Sequence, residues 1–102
     1  MDIKWIINCI NKENYFFSQH ADKERMNDNL LIVEIEESIC AGSILENYED
    51  DVRGSSCLVV GFSQSGIPIH SVCGMSGDSL VIITVYIPTP PKFITPYERA
   101  KK

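Results

Sequence analysis

The sequence predicts an α+β domain in which short N-terminal helices precede a meander of four antiparallel strands. Isoleucines recur at helical spacing near the N-terminus, at Ile3, Ile6, Ile7 and Ile10 and again at Ile32, Ile35 and Ile39. Four runs rich in Val, Ile and aromatic residues follow, separated by short connectors rich in Gly, Ser and Asp. Helices grouped before strands, without alternation, indicate α+β rather than α/β. The 102 residues suffice for one domain and one core, and 44% hydrophobic with 23% charged residues is an ordinary globular balance.

The first helix is expected over residues 3–12, with Asp2 as N-cap and Asn14 ending it. Tyr15-Phe16-Phe17-Ser18 then reads as a short extended segment. Ser18 caps a second helix through Met26, where Ala21 and the charged residues favour helix, and Asn27-Asp28-Asn29 makes a turn. The third helix carries Ile32, Ile35 and Ile39 inward and Glu34 and Glu37 outward. It lacks a strong N-cap, and Gly42 is expected at the left-handed position that closes it. The strands are expected over 44–48, 57–62, 67–73 and 80–87. The last is apolar on both faces for most of its length, which suits a central or covered strand. Pro88, Pro90, Pro91 and Pro96 cannot continue a ladder, so residues 92–102 read as a proline-flanked tail leaving a domain of residues 1–91, with Phe93 and Tyr97 able to pin it.

The charge is uneven. The net value is −5, yet Lys92, Arg99, Lys101 and Lys102 against Glu98 give the tail +3, and five basic against thirteen acidic groups leave the other 91 residues at −8. An acidic body argues against tight nonspecific binding to nucleic acid, while the basic tail can touch phosphates or an acidic partner. The N-terminus lacks a basic region, a long apolar run and a small-residue cleavage site, and the apolar run from Leu80 to Ile87 is too short to cross a membrane. These features place the protein in the cytoplasm, where Cys9, Cys40, Cys57 and Cys73 are expected as thiols.

Chemistry-bearing residues are few. His20 lies on a short polar helix with Arg25 five residues later, so the two can flank one groove. His70 lies in a strand. Thr84 and Tyr86, two apart on the last strand, point to one sheet face. A histidine, an arginine and a tyrosine converging on a sheet suit cleavage of RNA without a metal. The histidine or tyrosine moves protons, the arginine stabilises charge on the phosphate, and the RNA 2′-hydroxyl is the nucleophile. Cys57, His70 and Cys73 offer zinc ligands, but His70 and Cys73 are three apart and so face opposite sides of a regular strand. Two further readings stand beside the enzyme: a noncatalytic interaction module docking through its tail or a strand edge, and a small metal-binding domain.

From about residue 15 onward the chain resembles the bacterial domain of unknown function 4258 family. The matching stretches are Phe17 to Arg25, Asn27 to Leu30, Ile44 to Tyr48, Ser56 to Phe62, Pro68 to Gly74 and Ile82 to Phe93. Members of that family look like small toxin-type proteins of the RelE and barnase-like ribonuclease class, often encoded beside a zinc-finger antitoxin of the MqsA type. The resemblance puts His20, Arg25, His70 and Tyr86 on the family's prominent polar positions and implies catalytic roles for them. Arg53, Thr84 and Lys92 are assigned to substrate binding. RNA and an antitoxin with a zinc finger are the implied partners, with no cofactor and no membrane. Ser71 departs from a usual aliphatic residue, Ser55 from a common acidic one and Val52 from a small one.

Overall fold

The computed structural model describes residues 1–49, 54–90 and 93–99. Three helices, α1 (Ile3–Asn11), α2 (Gln19–Asn27) and α3 (Ile32–Cys40), accompany a five-stranded sheet. Its strands are β1 (Tyr15–Phe17), β2 (Ser43–Tyr48), β3 (Ser56–Phe62), β4 (Pro68–Ser76) and β5 (Ser79–Tyr86), in the order β1-β5-β4-β3-β2. A separate hairpin joins β6 (Phe93–Thr95) to β7 (Glu98–Arg99).

Strands β2 to β5 form the expected antiparallel meander. The sheet is nevertheless mixed, because β1 adds a fifth strand that runs parallel to β5, Tyr15 opposite Leu80 and Phe17 opposite Ile82. Three residues are too few to show a period of two in the sequence, and a parallel partner lies far along the chain. The tail also differs from expectation. Over residues 93–99 it returns to the sheet as a hairpin instead of leaving as an extended segment, while Phe93 is buried in the pinning position the sequence allows it.

Local signals account for the helix starts. The Asp2 carboxylate accepts from the Lys4 N–H at 2.9 Å, and Ser18 Oγ accepts from the Ala21 N–H at 3.0 Å. Leu31 cannot cap α3, so Glu34 reaches back and accepts from the Leu31 N–H at 2.8 Å. Gly42 lies outside the left-handed region, contrary to the sequence reading. It is needed for close approach: a Cβ there would lie 2.6 Å from the Val60 carbonyl oxygen and 2.7 Å from that of Ser38. Gly61 serves the same crossing, where a Cβ would come within 1.8 Å of the Ser38 oxygen.

The core lies between one sheet face and α1 and α3. Ile6, Cys9 and Ile10 from α1 and Ile35 and Ile39 from α3 meet Cys57, Val59, Ile69, Cys73, Leu80, Ile82 and Val85. The strand alternation sends Glu46, Leu58, Val60, His70, Thr84 and Tyr86 to the opposite face. Helix α2 runs along the β5 edge, and the C-terminal hairpin covers this second face through Phe93 and Pro96. Among the described residues no helix is long and apolar enough to cross a membrane.

Candidate functional site

Strand β1 covers only the first part of the β5 edge. Beyond it, α2 takes over with side chains. Ser18 N–H donates to the Ile82 carbonyl at 2.9 Å and Ser18 Oγ to that of Ile83 at 2.8 Å. Glu24 Oε1 then accepts from the Val85 N–H and Asp28 Oδ2 from the Ile87 N–H, both at 3.1 Å. Four helical residues rise about 6.0 Å and two strand residues about 6.6 Å, so carboxylates four apart match alternate strand N–H groups. Two ladder donors are thereby satisfied without another strand.

The same helical spacing puts His20, Glu24 and Asp28 on one side of α2, facing Thr84 and Tyr86 across a cleft of about 630 Å³. Ile87, Thr89, Pro90 and Phe93 close its C-terminal side. His20 Nε2 lies 3.2 Å from Glu24 Oε1, with the imidazole largely exposed. A carboxylate that holds Nε2–H fixes the tautomer in which Nδ1 is free to take a proton.

Tyr86 connects the cleft to a buried layer. Its hydroxyl lies 3.2 Å from His70 Nδ1, and His70 Nε2 lies 2.6 Å from the Pro96 carbonyl oxygen. The carbonyl can only accept, so Nε2 carries the hydrogen and Nδ1 accepts from the phenol. His70 is fully buried, edge-on to Phe93 with ring centroids 4.4 Å apart. Burial lowers its pKa, the Pro96 carbonyl opposes that shift, Arg99 adds to it and Glu46 opposes it. The Tyr86 pKa is raised, first by burial, then by Glu46 and Glu24 against the pull of Arg99. His70 is therefore a neutral strut and Tyr86 a protonated phenol at neutral pH.

The hairpin is clamped by charge as well as by Phe93. Arg99 donates to both oxygens of Glu46, at 2.7 and 2.8 Å, and lies 4.9 Å from the Phe93 ring centroid. Glu46 also accepts from the Tyr48 hydroxyl. Its carboxyl is held down at about 2, chiefly by the Arg99 hydrogen bond.

Of the residues singled out from sequence, the structure brings His20, Thr84 and Tyr86 into one cleft, with His70 directly behind Tyr86. Arg25 does not line it. Its Nε lies 2.7 Å from Asp22 Oδ1 and its guanidinium 5.9 Å from the Phe17 ring centroid, so it tethers α2 toward β1. Arg53 and Lys92 lie outside the described residues. Sequence reasoning missed Glu24 and Asp28: their spacing of four from His20 is visible, but carboxylates on a polar helix look solvated until the Val85 and Ile87 N–H groups are beside them. Arg99, whose charge acts on both Tyr86 and His70, carried no signal beyond its place in a basic tail.

The metal-binding alternative loses its ligand set. Cys57 and Cys73 are paired neighbours on the helix-packed face, fully buried, whereas His70 is on the other face and spends both nitrogens on Tyr86 and Pro96. Burial raises the Cys57 thiol to about 11 and the Cys73 thiol further, against thiolate ligation. Among the described residues no cluster of three His, Cys, Asp or Glu side chains has metal-binding geometry.

The profile of the domain of unknown function DUF4258 matches residues 17–87. The chain belongs to the DUF4258 family. No curated protein and no solved structure matches it. The DUF4258 match begins at β1 and ends just beyond β5, so it contains His20, Glu24, Asp28, His70, Thr84 and Tyr86. Helix α1 and the clamping hairpin are outside it.

Proposed function

We propose that this DUF4258 protein is a toxin-like ribonuclease that cleaves RNA without a metal, with an antitoxin carrying a zinc finger as its protein partner. The observation that carries the reading is the His20–Glu24 pair facing the Thr84 and Tyr86 side chains across one cleft. His20 Nδ1 takes the proton of an RNA 2′-hydroxyl. The freed oxygen attacks the adjacent phosphorus, the bond to the 5′-oxygen breaks, and that oxygen receives a proton from the imidazolium. Glu24 stabilises the imidazolium between the two transfers. The Thr84 and Tyr86 hydroxyls hydrogen-bond the phosphate, and His70 positions Tyr86 without touching substrate. Arg53 and Lys92 bind phosphate in this reading, and Arg25 acts on the placement of α2.

The test is expression of the wild type and of His20→Ala in bacteria, with purified proteins incubated on an RNA oligonucleotide. The wild type slows growth and leaves 2′,3′-cyclic phosphate ends, and His20→Ala loses about 100-fold or more of the cleavage rate. Equal growth and intact RNA with both proteins would end the proposal.

A noncatalytic interaction module is the second reading, favoured by one observation: among the described residues the cleft is lined by Glu24 and Asp28 but by no lysine or arginine. Intact RNA together with a stable protein partner lost on deleting residues 92–102 selects it.

A further inference from the structure

A second concavity, of about 740 Å³, lies between α1, α3 and the turn joining β3 to β4. Ile10, Val33, Cys40 and Phe62 give it apolar surface, and Glu13, Glu36 and Glu37 stand around them. No lysine or arginine lines it among the described residues. Helix α3 is unusual here. Ile35 and Ile39 fill the core, yet Leu31, Ile32 and Val33 at its start are 61, 43 and 52% exposed. Three consecutive exposed apolar residues where a surface helix normally carries polar ones mark a contact surface. They continue the apolar lining outward through Val33. Two of the carboxylates are held in place: Glu36 accepts from the Tyr15 hydroxyl at 2.6 Å and Glu37 from the Gln64 N–H at 3.2 Å. Each keeps a second oxygen for a partner.

We propose that this groove docks a partner protein through a segment presenting apolar and basic side chains on one face. Apolar residues fill the surface continuing from Val33, and lysines or arginines meet Glu13, Glu36 and Glu37. Charge complementarity selects this occupant. Over residues 1–91 a second copy of the chain carries −8, so its folded body would bring like charge to the groove. The proposal does not depend on the ribonuclease reading, since the groove shares no lining residue with the His20 cleft.

The probe is a synthetic amphipathic helical peptide of about 18 leucine and lysine residues, with a leucine and glutamate peptide as control. It is titrated into the isotopically labelled full chain and followed by amide chemical shifts. Shifts are expected at Val33, Cys40, Phe62 and Gln64. Glu13→Gln with Glu37→Gln should weaken binding about tenfold, whereas the charge-matched pair Glu49→Gln with Asp78→Asn, outside the groove, should change it less than about twofold. Val33→Asp, at an exposed position, should weaken binding with the melting temperature unchanged. The proposal is overturned by shifts centred elsewhere, by equal effects of the two charge pairs, by equal binding of the glutamate peptide, or by no binding at about 1 mM peptide. It is also overturned if the free chain sediments as a dimer through these residues.

Discussion

His70 makes a distinctive demand on the pH dependence of stability. Folding buries it as a neutral ring between the Tyr86 hydroxyl and the Pro96 carbonyl, and burial lowers its pKa below the ordinary 6.5. Above that value both folded and unfolded chains hold a neutral imidazole, and pH has no leverage through this residue. Below it the unfolded chain takes up a proton that the folded chain refuses, so stability falls as pH falls, until the folded pKa is reached. The limiting slope is about 1.4 kcal/mol per pH unit, which caps the loss between pH 7 and 5.5 at about 1.3 kcal/mol. Glu46 acts lower, between its ordinary 4.5 and about 2, so the windows separate. Urea melts followed by Trp5 fluorescence at pH 7, 6.5, 6 and 5.5 should show this decline in the wild type. His70→Gln, which cannot titrate, should lack that component even if its overall stability is lower. Parallel declines in the two proteins would refute a neutral, buried His70.

Ser71 is fully buried and its Oγ has no hydrogen-bond partner, so Ser71→Ala should raise stability by about 1 kcal/mol in a urea melt, and an equal loss would reveal a partner. Gly61→Ala should cost about 3 kcal/mol or more, because the new methyl meets the Ser38 backbone and not a side chain that can swing aside; a melting temperature within a degree or so of wild type would contradict the crossing of α3 over β3. Arg99→Ala removes a half-exposed ion pair and should cost only about 1 kcal/mol. Its amide exchange should quicken over residues 93–99 and not in β3, and uniform protection would show that Phe93 alone holds the hairpin.

The legible part of the fold was local. Asp2 and Ser18 announced two helices through their caps, and turn residues delimited β2 to β5. What escaped depends on partners distant in the chain. Phe16 looks alike in a loop or in a three-residue strand until Val81 is beside it. Gly42 has the sequence context of a helix stop but is required by the Val60 and Ser38 carbonyls. In the candidate site, the shared face of Thr84 and Tyr86 follows from a period of two, whereas their meeting with His20 depends on how α2 packs along β5, which no local pattern encodes. Arg25 entered on proximity in sequence, yet five helical residues turn it toward Asp22 and Phe17. Arg99 meets Glu46 across 53 residues, a pairing no local pattern encodes.

Strand β5 joins the parallel partner β1, the antiparallel partner β4 and the carboxylates of α2. A ribosome makes this hub late, after all three helices and the other four strands of the main sheet. Until residues 79–87 emerge, β1 has no strand to join and α2 no edge to cover, so the nascent chain can form its β2–β4 meander but not its cleft. Long-range closure of this kind slows folding. The floor residues Thr84 and Tyr86 arrive on the same segment that completes the sheet. Chains truncated before β5 would therefore lack both the assembled fold and the cleft, coupling the onset of any activity there to the near-completion of synthesis.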